Sequence, residues 1–462
     1  MSKRTWIWSV TALALVGCSG TSKPAPSGNN DSNTDIARSQ IASVPAGAVP
    51  AAELTAAAAA NNAFAVDLYA QVLKTEPSGN LLTSPITATL ALTMSYAGAR
   101  EQTASEMAQV LHLSGGDADF AGQNALSQAL ATRGSDALAQ ARTVAQQNQH
   151  EAPSADDYQF QLVNSVWGQT GYPWQQPFLD TLATNYGTGV YQLDFKTNPT
   201  AARSSINDWV SDQTSAKISD LLPPDAIDDE TRMVLINALH LKLPWAAPFS
   251  ADLTHPAPFV RGDASTVQAD FMSQLGEDSY IDDGQAQIIA LPLAHADLWV
   301  VIALPHEGVS LAAYEATLGA NSAALHRPSG SALIDLLLPK TTFTSKTFSL
   351  RTALKALGMN QAFDPDAANF KGLCANPPPP DKNLSVSDVL QKTMLSMQEN
   401  GAEAAAATAV IMGVGSSAPT TPPPTPIPMD VNRPYLVAFV DAPTDTVLML
   451  GHIQDPTDAG QP

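Results

Sequence analysis

Apolar residues recur along this chain with two periods, and the switching between them sets out the elements. Phe64, Leu68 and Val72 fall four apart, on one face of a helix buried along one side. Thr103 and Glu106 stand three apart ahead of Met107, Val110 and Leu111, which predicts a capping box opening a second helix. Ile206, Trp209 and Val210 mark a third amphipathic stretch. A fourth has Ser349 as its cap, Leu350, Leu354 and Leu357 on one face, and Gly358 as its stop. Residues 298–304, 334–338, 436–440 and 447–450 are apolar runs of strand length, and the last two flank a hairpin connection from Asp441 to Thr446. Helices and strands come in mixed order without regular βαβ alternation. That order predicts an α+β domain with large, mainly antiparallel sheets. No internal repeat is present, and polar, Ala/Gln-rich residues 114–157 read as a helix inside a long surface excursion.

One stretch fits neither period. Glu399 to Thr408 reads Glu-Asn-Gly-Ala-Glu-Ala-Ala-Ala-Ala-Thr and runs on through Val410, Ile411 and two glycines into prolines. Alanine has the best intrinsic helix propensity, yet the flanking glycines, β-branched residues and prolines suit an extended chain. Two readings stand: a surface helix ending at Gly413, or a segment that changes conformation.

Composition narrows the function classes. The 462 residues are 44% apolar and 15% charged, which suits a foldable chain with a substantial core. The formal charge of −21 argues against nucleic acid, heparin-like polyanions and anionic membrane surfaces as partners. Two cysteines have separate contexts. Lys3 and Arg4, an apolar stretch from Trp6 to Val16, and then Leu15-Val16-Gly17-Cys18 form a secretory leader. The quartet resembles the bacterial lipoprotein signal, in which the cysteine becomes the acylated N-terminus; a plain signal peptide is the alternative. The apolar run is shorter than the ~20 residues a spanning helix needs, so acylation would anchor without spanning. The expected organisation is a signal peptide over 1–17, a flexible tether over 18–55 and one domain over 56–462. Cys374 then has no partner.

Enzyme constellations are missing from the sequence. It has no Gly-x-Ser-x-Gly elbow, His-Glu-x-x-His helix or Cys-x-x-Cys pair, and its eight histidines are scattered. Gly413-Val414-Gly415-Ser416-Ser417-Ala418 superficially matches a dinucleotide loop. Pro419 and Pro422 to Pro424 exclude the helix which that motif requires. No cofactor and no metal site are expected.

From about Asn61 to Asp455 the chain resembles a serpin. The residues that carry the resemblance are Asn80-Leu-Leu-Thr-Ser84-Pro85-Ile86, then Asn237-Ala-Leu-His-Leu-Lys242 with Trp245 and Pro248-Phe249. Leu338-Pro339-Lys340, Leu357-Gly358-Met359, Ala362-Phe363, Val386-Ser387-Asp388-Val389, Asn432-Arg433-Pro434-Tyr435 and Gly451 follow in the family's order. The resemblance implies about eight or nine helices and an exposed reactive-centre loop, here about residues 399–430. It also implies an inhibitor of serine proteases that acts as bait. After cleavage the loop enters the central sheet as a new strand and traps the acyl-enzyme.

The same resemblance assigns site residues. Glu399, Gly401, Ala402, Glu403, Ala404, Ala405, Ala406, Ala407 and Thr408 would form the hinge. On insertion one parity holds Ala402, Ala404, Ala406 and Thr408, while Glu403 supplies the only charge on the other. Lys340 and Glu399 match an ion pair near Trp245 at the top of the opening sheet. Ser84, Thr87 and Asn237 match a polar cluster where the central strands part, and Gln391 stands where the family often has histidine. Ala402 replaces a more usual threonine or serine, and the post-scissile side through Pro428 is longer than usual. Counting from the hinge places the scissile bond at Gly415–Ser416, with Val414–Gly415 and Met412–Gly413 as alternatives. None offers a basic residue, so elastase-like or subtilisin-like targets are expected. The expected molecule is a monomer, anchored outside the cytoplasm of a bacterium by lipid at Cys18, on an outer membrane where one exists. Alternative readings are a non-inhibitory, chaperone-like or binding serpin of the envelope, and an inhibitor of cysteine proteases.

Overall fold

Strand Leu298–Pro305 is apolar almost throughout, and its neighbours on both edges bury it: Ala286–Pro292 on one side and Tyr435–Asp441 on the other, both antiparallel. The computed structural model describes residues 35–76, 78–379, 381, 383–402 and 425–460. The described strands form a nine-stranded, a seven-stranded and a two-stranded sheet. All four predicted apolar runs are strands: Leu298–Pro305, Ser331–Pro339, Tyr435–Asp441 and Thr446–Ile453. The last two form the expected hairpin, with Val440 opposite Val447.

The predicted helices form with shifted ends. Ala51–Thr75 buries Phe64, Leu68 and Val72. Pro199–Gln213 lays Ile206 and Val210 onto one face of the seven-stranded sheet, against Trp167, Val234, Ile236 and Leu390. In Arg351–Leu357 the Ser349 hydroxyl accepts from the Arg351 amide at 3.1 Å, and Gly358 ends the helix at φ +117°. The capping box at Thr103 does not form. Its helix starts two residues earlier, at Glu101, and Thr103 instead accepts from the Asn369 amide at 2.9 Å. Glu106 accepts both the Asn360 and Gln361 amides at 2.8 Å. A long-range contact with a loop has taken the place of a local cap.

Two further differences concern the start of the chain and the excursion. Residues 114–157 fold as two helices, Asp117–Ala131 and Arg133–Gln147, and the first places Leu126 and Leu130 in the core. The stretch expected as tether up to residue 55 is folded from residue 35. Asp35–Ala37 pairs antiparallel with Val190–Gln192 at the edge of the seven-stranded sheet. The Val44 amide donates to Thr184 at 2.9 Å, and the Val44 carbonyl accepts from Asn124 and Gln128. Helix Ala51–Thr75 then begins inside the expected tether. These anchors use main-chain groups, which composition does not register. Cys374 is buried at 2% exposure, and burial pushes its thiol pKa up, the opposite of a reactive thiol.

Candidate functional site: a gated slot in the central sheet

Strand Met233–Pro244 is the centre of the site. Along one edge it pairs antiparallel with Gln159–Gln169, from Met233 to Lys242. Along the other it pairs in parallel with Asp388–Lys392, from Val234 to Ala238 only. Beyond Lys392 the chain bends away: Met394–Met397 pairs with Thr341–Thr344 instead. Residues 239–242 therefore have no described ladder partner on that edge. The ladder resumes at the top, where Gly401 and Ala402 lie antiparallel to Pro244 and Leu243. This stretch without a described partner thus has a latch below it and the start of the alanine-rich segment above.

The latch is the polar cluster. Gln391, fully buried, accepts from the Ser84 amide at 3.0 Å and donates towards the Ser84 carbonyl at 2.9 Å and Asn237 Oδ1 at 3.1 Å. The Thr87 hydroxyl lies 3.0 Å from the Ser84 carbonyl and 3.2 Å from Asn237 Oδ1. Thr87 and Ser84 sit at the start of helix Pro85–Tyr96, so the cluster joins that helix to both central strands. Asn237 Nδ2 and Asn164 Oδ1 are buried without a partner among the described residues, and the two asparagines stand opposite each other in register.

The upper gate is built around Glu399. Lys340 Nζ lies 3.0 Å from both carboxylate oxygens, and the Thr254 hydroxyl donates at 2.9 Å. Burial would raise the Glu399 pKa, but hydrogen bonds from its own backbone, Lys340 and Thr254 outweigh it and hold the carboxyl below the ordinary value. The pair is more enclosed than the exposed one expected, at 29% and 16% side-chain exposure. Trp245, 2% exposed, donates its indole N–H to the Gln398 carbonyl at 2.8 Å and its amide to Asn400 at 3.1 Å. Phe249 packs edge-on against the indole and donates its amide to the Glu399 carbonyl at 2.8 Å. Gly401 has φ +154°, and a side chain there would meet Leu243 O and Pro244 Cα at 2.4 Å. Only glycine fits this turn into the slot.

All six residues assigned to sheet opening, Lys340, Trp245, Ser84, Thr87, Asn237 and Gln391, thus fall into these two clusters. Glu403, Ala404, Ala405, Ala406, Ala407 and Thr408, the scissile candidates Met412, Gly413, Val414, Gly415 and Ser416, and Cys18 lie outside the described residues. Sequence reasoning missed Thr254 and Thr342 and gave Lys242 no role. The Thr342 hydroxyl accepts from Gln398 at 2.9 Å, and Lys242 pairs with Asp157 at 3.2 Å. Thr254 follows a short turn with no pattern of its own. Lys242 was already visible inside the Asn237–Lys242 run.

The sequence profile of the serpin family, described as Serpin (serine protease inhibitor), matches residues 59–456. A serpin-like protein of Methanosarcina mazei is 29% identical over 402 residues, covering 86% of this chain and 87% of that protein. The leukocyte elastase inhibitor of Bos taurus is 28% identical over 86% of this chain and 99% of its own. Among solved structures, the thermophilic serpin tengpin in its native state superposes with a TM-score of 0.71 at 24% identity, covering 92% of this chain and all of that one. The chain belongs to the serpin family.

Proposed function

We propose that this chain is a suicide-substrate inhibitor of serine proteases of elastase-like or subtilisin-like specificity. The observation that carries the reading is the slot, with Gly401 and Ala402 already laid on its upper end. Continuing that antiparallel register places Glu403 opposite Lys242, Ala404 opposite Leu241, Ala406 opposite Leu239 and Thr408 opposite Asn237. Cross-strand partners share a face. Leu239 and Leu243 pack with Ile86 and Leu90 in the inner core, whereas Val234, Ile236 and Ala238 face helix Pro199–Gln213. Ala402, Ala404, Ala406 and Thr408 would therefore turn inward, and Glu403 would turn outward to the Lys242 ammonium. The register buries no charge, and the small side chains avoid overpacking.

The chemistry follows from the family. The protease serine oxygen attacks the carbonyl of Gly415, and the bond to the Ser416 nitrogen breaks. That nitrogen leaves as an amine with the serine's proton, and Gly415 remains as an ester on the enzyme. Insertion must then separate Asp388–Lys392 from Met233–Pro244, breaking the Gln391 latch, before water hydrolyses the ester. The likeness to the bovine elastase inhibitor and the absence of a basic residue at the candidate bonds support the target class.

Incubation with elastase, subtilisin and trypsin tests this. The expected result is a covalent adduct on a denaturing gel with elastase or subtilisin, and a released peptide beginning at Ser416 by mass spectrometry. An adduct with trypsin alone, or loop cleavage without any adduct, contradicts it. Anchoring belongs to the same proposal: the Leu15–Cys18 quartet supports acylation at Cys18 of a protein held outside the cytoplasm. Full-length protein should partition into the detergent phase, and Cys18→Ser should move it to the aqueous phase.

A further inference from the structure

Helix Asp117–Ala131 comes so close to helix Ala51–Thr75 at Gly122 that a Cβ there would lie 2.4 Å from the Glu53 carbonyl oxygen and 3.1 Å from the Ala57 methyl. Between the same two helices is a cavity of about 200 Å³, whose lining residues 112–114 complete. Much of its wall is methyl groups, from Ala52, Ala56, Ala57, Ala60 and Ala118. Gln123 also lines it and is wholly buried, yet neither its carbonyl oxygen nor its amide nitrogen has a hydrogen-bond partner among the described residues. The other side-chain amides of this helix are spent, since Asn124 and Gln128 both donate to the Val44 carbonyl. An amide left unpaired in an interior is costly, and an apolar residue of the same shape avoids that cost. Stability alone does not favour glutamine at this position, whereas a ligand with its own donor and acceptor does.

Charge narrows the ligand further. Glu53 is half-buried, and no hydrogen bond or ion pair among the described residues engages its carboxylate. Asp119, another acid of the lining, is already committed: it accepts from the Ser114 hydroxyl at 2.8 Å and the Gly115 amide at 2.7 Å. His112 lies 2.8 Å from Asp67. We propose that the cavity binds a small organic cation bearing a primary carboxamide, of the size of an amino-acid amide. Its carboxamide pairs with Gln123 through two reciprocal N–H···O bonds, its ammonium meets Glu53, and its small side chain lies against the alanines. The proposal does not depend on the inhibitory reading.

The test is calorimetric titration of the full chain with alaninamide, and with acetamide, ethylammonium and acetate for comparison, in the wild type, Gln123→Leu and Glu53→Gln. Saturable one-to-one binding of alaninamide is expected, with acetamide and ethylammonium each weaker by about tenfold or more and acetate silent. Gln123→Leu should abolish binding and raise the thermal midpoint of the unliganded protein, because leucine strands no polar group. Glu53→Gln should weaken alaninamide by about tenfold and leave acetamide unchanged; it reads the site even where the leucine variant does not fold. No saturable binding to the wild type overturns the site. So does alaninamide binding that neither substitution weakens.

Discussion

Gln391 carries more of the latch than any other side chain: it ties the Ser84 amide and carbonyl to Asn237 in a fully buried position. A glutamine does not titrate, so the latch itself should hold equally from pH 5.5 to 8. In Gln391→His, protonation of a buried imidazole is opposed by desolvation, so its pKa falls below the unfolded value of roughly 6.5. Stability would be present above that value and lost as pH falls, and melts across the range would read it. Gln391→Leu strands the Ser84 groups and Asn237 in the interior, at a cost of about 2–4 kcal/mol in denaturant unfolding. Glu399 sets a different window. Its lowered pKa contributes stability that is present above the ordinary 4.5 and lost as pH falls through the depressed value. Protection of the Gly401 amide, which donates to the Gln398 carbonyl, should fall relative to the intrinsic exchange rate only in acid, and Lys340→Ala should move that fall to higher pH.

At the scale of elements, strand and helix identity was legible in the sequence where one period ran uninterrupted, as in Leu298–Pro305 or Ala51–Thr75. The site residues were legible through the resemblance, because Lys340, Trp245, Asn237 and Gln391 each sit in a recognisable run. What stayed hidden depended on distant or main-chain partners. Thr103 and Glu106 have the spacing of a cap, yet both serve the 360–369 loop. Residues 35–50 have the composition of a tether, yet their backbone finds an edge strand and a helix end. Gly189→Val tests that attachment, because a Cβ there would lie 2.3 Å from the Ala37 carbonyl. Residues 35–44 should then become protease-sensitive while the melting midpoint changes little. Gly401→Val should expel Gly401 and Ala402 from their pairing with Leu243 and Pro244, and the loop should be cut as substrate with less adduct formed.

On the scale of the whole molecule, residues 239–242 of the seven-stranded sheet have no ladder partner on one edge among the described residues, between a latch and a gate. On the proposed inhibitory reading, insertion of the loop would add a strand with a ladder on both edges, and that gain would become available once the loop is cut and its upstream end is free. A nick in an ordinary exposed loop has the opposite effect, since it releases the unfolded chain from a constraint. The direct test is the thermal midpoint at pH 7 before and after a single cleavage between Met412 and Ser416. A sharp rise, with the fragments still associated, is the result expected of strand insertion. An unchanged or lower midpoint would contradict it.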